Sequence, residues 1–192
     1  MDLVRIGDVT MRLLALRGDS PLSFKGKLEI SKLLDKLGVS VIELERLNGS
    51  RADALRVKSI CSAVKGSIVA VPVELNPESV DAVWEALKGA AHPRLQVTAP
   101  VSTVQMEYLS RKKPEAMLAC IQSVVSACAA KTGDVEFLAE DATRSEPAFL
   151  RTALETAIRA GAKTVTVCDA AVLLVEVSVM VGLTFSCTIQ IA

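Results

Sequence analysis

In VEFLAEDATRSEPAFL, residues 135–150, an apolar run closes on Glu140-Asp141-Ala142-Thr143-Arg144-Ser145, and a helical pattern starts directly after Pro147. An apolar strand, a polar junction and a helix make one βα unit. Ser145 suits the N-cap of that helix, with Glu146 and Pro147 in a first turn where an acid and a proline are favoured. Capping leaves Glu140, Asp141 and Arg144 unexplained. They either solvate a loop or line the rim of a binding site.

On both sides the same unit repeats at a spacing of ~30 residues. Apolar, β-branched runs at Val4–Val9, Val39–Glu43, Ser67–Val73, Leu95–Ala99, Val135–Ala139 and Thr164–Cys168 predict strands. Between them, Ser23–Leu37, Arg51–Val64, Pro77–Ala90, Pro114–Ala130 and Pro147–Ala160 carry apolar residues at spacings of three and four, which predicts helices. Strands that are apolar throughout belong to parallel sheets covered on both faces. Gly38 and Gly161 follow the last helical residues as C-caps. The fold class is therefore α/β with a parallel, TIM-barrel-like sheet of about six to seven βα units. A closed barrel typically takes ~250 residues, so this one is incomplete. In such sheets ligands bind at the carboxyl ends of the strands. Glu43 and Asp169 end strands as Glu140 does, and Arg12 follows the first. Each alone reads as well as a solvated strand end; together they point to one rim.

The chain of 192 residues suits a single domain over 1–192, and 51% hydrophobic residues exclude disorder. With 22 basic and 22 acidic residues there is no net field for nucleic acid or anionic lipid. The 5 cysteines lie scattered in apolar context without CxxC spacing, which suits reduced thiols in a cytoplasmic protein. MDLVRIGDVT has two acids and no long apolar core, so no signal peptide is read there. The run 170–192 carries only Glu176 as a charge. That acid and the lack of flanking basic residues argue against a membrane span, and its β-branched residues favour a further strand or two. An apolar run beside an unclosed sheet predicts a homo-oligomer.

These residues carry a resemblance. KLEISKLLDKLGVSVIE (27–43), VEFLAEDATRSEPAFL (135–150) and AIRAGAKTVTVCDAA (157–171) resemble segments of the isopropylmalate and homocitrate synthases, and LQVTAPVSTVQMEY (95–108) is more loosely similar. Those are metal-dependent acyltransferases sharing a (β/α)8 barrel with hydroxymethylglutaryl-CoA lyase. The resemblance runs collinearly through most of 4–171. It implies a Claisen condensation in which a divalent metal polarises a 2-oxo acid for attack by the acetyl-CoA enolate. By resemblance Arg12 contacts the oxo acid and Glu43 lies in the polar network beneath it. Ser102 and Arg144 line the substrate pocket, with Glu140, Asp141 and Asp169 as its acids.

The metal ligands do not carry over. The acid that should follow Arg12 falls on Leu13, and the two histidines of the seventh strand fall on Ser186 and Thr188. The threonine after the proline-aspartate pair is Ala170, and the strand-four histidine is Gln96. The one histidine, His92, precedes the fourth strand, at the wrong end of the sheet. No metal-ligating residue is therefore assigned. Two functions follow: an acyltransferase of this type acting on a 2-oxo acid and acetyl-CoA, or a pseudoenzyme that keeps an anion-binding rim for a small carboxylate or a partner subunit.

Overall fold

The computed structural model describes residues 5–17, 22–169 and 185–190, the backbone alone for 14–17, 169 and 185–190. The chain falls into two compact units, one built from the described parts of Met1–Val73 with Glu78–Leu95, the other from Glu74–Pro77 with the described parts of Gln96–Ala192.

The first unit holds β1 (Gly7–Asp8), β2 (Val41–Glu43), β3 (Ile68–Val73) and the start of β4 (Pro93–Pro100). Its helices are α1 (Thr10–Arg17), α2 (Phe24–Leu37), α3 (Arg51–Ala63) and α4 (Pro77–Leu87). β2 lies parallel to both β1 and β3, with Gly7 beside Val41 and Val41 beside Ile68. The second unit holds the rest of β4, then β5 (Val135–Glu140), β6 (Thr164–Asp169) and β7 (Phe185–Gln190). Its helical segments are α5 (Thr103–Gln105), which runs into a π-helix at Met106–Ser110, then α6 (Pro114–Ala129) and α7 (Pro147–Ala160). β1 to β6 are the six parallel strands of an incomplete TIM-barrel-like α/β fold.

The strands form where apolar runs can be covered on both faces. Val69, Ala70, Val71 and Val73 of β3 have no exposed surface, and neither do Val135, Phe137 and Ala139 of β5. The helix ends obey backbone chemistry. Ser23 and Ser50 accept hydrogen bonds from the N–H groups of Gly26 and Asp53, capping α2 and α3. Gly38 (φ 77°) and Gly161 (φ 116°) close α2 and α7 in the left-handed region expected of them. The carboxylate of Asp35 on α2 accepts from the N–H groups of Lys65, Gly66 and Ser67 at 2.9, 2.9 and 2.7 Å. That bridge fixes the turn into β3.

Four expectations need correction. The periodicity predicts no helix before Ser23, yet α1 starts at Thr10, where Asp8 accepts from both the Thr10 N–H and its hydroxyl. Ser145 does not cap α7. A 3-10 turn at Ala142–Arg144 shifts the start, Glu146 takes the N-cap position, and the Ser145 hydroxyl donates to the Val101 carbonyl at 2.8 Å. The further strand is antiparallel: β7 runs against β6, with Cys168 beside Ser186 and Thr166 beside Thr188. A parallel seventh strand needs a crossover of a dozen or more residues, usually helical, whereas an antiparallel neighbour needs none. Finally, β4 and β5 are buried but not apolar throughout, because Gln96 and Glu136 point into the interior. Ala170 and Glu176 lie outside the described residues. Among the described residues, no helix is long and apolar enough to cross a membrane.

Two outcomes test this account. At Gly161 an added Cβ would lie 2.7 Å from the Ala129 Cβ, on a backbone L-residues rarely adopt. Gly161→Ala is expected to cost about 2–4 kcal/mol in denaturant unfolding, from the left-handed penalty plus overpacking. The Asp35 carboxyl is raised by burial, but its three backbone donors outweigh that and its pKa lies below the ordinary 3.8. Its stabilisation is therefore full above that value and lost as pH falls through the lowered folded-state pKa. Asp35→Ala is expected to cost about 1–2 kcal/mol at neutral pH, the low end for a charged acceptor because the group is partly exposed. In thermal melts, the gap between wild type and variant should narrow as pH falls from 3.8 through the lowered folded-state value.

Candidate functional site

In the first unit, β1 and α1 bring Arg12 to the end of β2. Its NH1 donates to Glu43 Oε2 at 2.8 Å, with the two side chains 25% and 13% exposed. The pair read from separate strand ends is thus in direct contact. Met11, the residue before Arg12, is buried, and this orients the helix turn that carries the guanidinium. Nearby chemistry in this unit was not legible in the sequence. The Lys27 ammonium contacts both carboxylate oxygens of Glu45 at 2.6 Å, while Arg56 pairs with Asp53 and approaches Glu45 at 3.8 Å.

In the second unit, three of the predicted residues converge. Ser102 ends the β4 connection and caps α5, accepting from the Gln105 N–H. Its hydroxyl donates to Asp141 Oδ2 at 2.5 Å. Arg144 closes a fork on the same carboxylate, Nε to Oδ1 at 2.7 Å and NH2 to Oδ2 at 2.6 Å. Asp141 has no exposed surface, whereas the Arg144 side chain is 44% exposed. Asp141 also stands in the left-handed region (φ 57°), which aspartate tolerates better than most residues. The hydrogen bonds and the charge of Asp141 raise the pKa of Arg144, so the guanidinium stays charged throughout. Glu140 is half-buried, and its carbonyl accepts from the Val101 N–H at 3.0 Å. The side chains of Asp169, Ser186 and Thr188 lie outside the description.

Beneath this cluster runs a polar ladder that the sequence reading missed. Gln96 Nε2 donates to Glu136 Oε2 at 3.0 Å, and Thr166 Oγ1 donates to Glu136 Oε1 at 2.6 Å. All three are buried, and Gln96 Oε1 has no partner. The one available signal was a glutamine and a glutamate inside otherwise apolar strands. Two of the cysteines contribute packing only: burial pushes the thiols of Cys61 and Cys128 up to about 11 and about 12, so both stay protonated at neutral pH.

Comparison with known proteins identifies the family. The family model described as HMGL-like matches residues 4–180. The chain belongs to the HMGL-like family. It is 36% identical over 166 residues to a 2-isopropylmalate synthase of Nitratidesulfovibrio vulgaris, covering 86% of this chain and 32% of that protein. To a 2-isopropylmalate synthase of Caulobacter sp. it is 38% identical over 168 residues, covering 88% of this chain and 32% of that protein. The chain thus spans about a third of the length of the curated relatives it matches. Among solved structures, pyruvate carboxylase from Rhizobium etli aligns with a TM-score of 0.49 and 15% identity over 74% of this chain and 13% of that one.

The divalent metal that the resemblance to isopropylmalate synthases implies requires hard oxygen or imidazole donors. Leu13, in the position of the expected acid, offers only an alkyl group. His92 is exposed ahead of β4, where its carbonyl accepts from the Val69 N–H. Among the described residues no group of three or more His, Cys, Asp or Glu is placed to hold a metal ion. Among the described residues, Leu13 and His92 are not a donor set that fits such an ion.

Asp141→Ala leaves the buried Ser102 hydroxyl without its acceptor, a loss of about 1–3 kcal/mol. Asp141→Asn keeps a carbonyl for Ser102 and tolerates the left-handed backbone, so its melting temperature is expected between those of wild type and Asp141→Ala. An equal fall in both variants would show that the charge, not the Ser102 bond, sets the loss.

Proposed function

We propose that this chain handles the 2-oxo acid in an acyltransferase reaction of the 2-isopropylmalate or homocitrate synthase type, a Claisen condensation with acetyl-CoA. The observation that carries it is the Arg144 fork. Nε and NH2 are engaged by a fully buried carboxylate, while the half-exposed guanidinium keeps NH1 outside that fork. A guanidinium fixed in this way meets a substrate carboxylate with little ordering left to lose. Ser102 sets Asp141 and Asp141 sets Arg144, and the resemblance assigns Glu140 and Asp169 as further acids of the substrate pocket. In the first unit Arg12, held by Glu43, is the residue that the resemblance assigns to the oxo acid. The protein works in the cytoplasm, as its reduced buried thiols favour, and as a homo-oligomer, which the apolar run 170–192 favours.

A second reading is a pseudoenzyme that binds a small carboxylate or a partner subunit without turnover. Leu13 favours it, because an alkyl group there removes a hard oxygen donor from the reacting end.

Calorimetric titration with a panel of 2-oxo acids, followed by release of free thiol from acetyl-CoA with magnesium, manganese or zinc present, separates the readings. The acyltransferase reading expects saturable oxo-acid binding, a loss of about tenfold in Arg144→Ala for one charged hydrogen bond, and thiol release that needs the oxo acid. Binding without thiol release supports the pseudoenzyme. If no oxo acid binds saturably at millimolar concentration, both fail.

A further inference from the structure

One segment of the second unit, between β4 and α6, is used by neither reading beyond Ser102. There α5 runs into the π-helix Met106–Ser110, and Arg111 then takes a left-handed conformation, φ 49° and ψ 38°. The N–H groups of Arg111 and Lys112 both donate to the Met106 carbonyl. A π-turn and a left-handed non-glycine residue both cost energy, and such features cluster at functional sites. Here they border a cavity of about 300 Å3 whose lining includes Met106, Glu107, Arg111, Lys112, Lys113 and Pro114. That is the lower end of the range for small-molecule sites.

The charges are unbalanced. Three cations and one acid line the cavity, and none of the four is in an ion pair among the described residues. Lys112 is half-buried, so its side chain has left part of the solvent with no carboxylate in exchange. α6 adds the positive end of 16 helical residues; its N-cap, Lys113, makes no side-chain cap bond. A lining of net +2 matches a phosphate monoester, which carries about −1.5 to −2 at neutral pH with three acceptor oxygens. A single carboxylate would leave one cation unmatched. Met106 and Pro114 supply an apolar wall for the rest of the ligand.

We propose that this cavity binds a small phosphate monoester, the phosphate on Arg111, Lys112 and Lys113 and the apolar part of the ester against Met106 and Pro114. None of these residues serves the oxo-acid reading, so either stands without the other. The test is calorimetric titration of the full chain with phenyl phosphate, inorganic phosphate, benzoate and benzyl alcohol at fixed salt. Phenyl phosphate should bind saturably at one site and about tenfold more tightly than benzoate or inorganic phosphate, with benzyl alcohol weaker still. Arg111→Gly removes one cation while placing at φ 49° the residue that prefers it, so the fold is kept. Lys112→Gln removes the half-buried cation. Each should weaken phenyl phosphate about tenfold and flatten its salt dependence. No saturable binding by wild type at about 10 mM, equal binding of benzyl alcohol or inorganic phosphate, or undiminished affinity in either folded variant overturns the proposal.

Discussion

A carboxylate taken out of water costs several kcal/mol unless its oxygens are paired, and β5 with the residue after it carries two. Glu136 is 4% exposed and Asp141 not at all. Glu136 meets the requirement with the amide of Gln96 and the hydroxyl of Thr166, which ties β4, β5 and β6 together through side chains at one level of the sheet. Asp141 meets it with Ser102 and the fork of Arg144. The order of the second unit's polar interior follows from these two acids. Residues from both sides of β5 are drawn to fixed positions because the alternative is an unpaired buried charge.

The helices and strands were legible because they are local. Apolar runs marked β3, β5 and β6 to within a residue, and Gly38 and Gly161 marked helix ends through a backbone conformation that glycine adopts freely. Reading failed where local signals compete. TMRLLALR packs its apolar residues consecutively, so no helical stripe announces α1. Ser145 has the chemistry of a cap, yet a carbonyl 44 residues away claims its hydroxyl. The direction of β7 rests on which strand it pairs with, and composition carries no direction.

The polar cluster of the candidate site was legible as a set of residues and not as a set of partners. Ser102 and Asp141 stand 39 residues apart, and Gln96 and Glu136 stand 40 apart. Such contacts depend on strand register, which periodicity does not specify. A glutamate between apolar neighbours signals burial with a partner, but the partner's identity needs the neighbouring strand. The Lys27–Glu45 contact escaped for the same reason, since each residue alone reads as a solvated charge.

The exposures within the Asp141–Arg144 pair show which partner needs the other. Asp141 has no water and requires the cation, whereas Arg144 is 44% exposed and would be solvated without the acid. The pair therefore exists first for the carboxylate. Holding Arg144 also removes rotamer freedom from a long side chain, a cost already met before any ligand arrives. A lysine would satisfy the charge of Asp141 as one point contact but would lose the planar fork that sets the direction of the remaining donors. Structural necessity and the proposed anion recognition thus rest on one arrangement, and the arginine's geometry, more than its charge, links them.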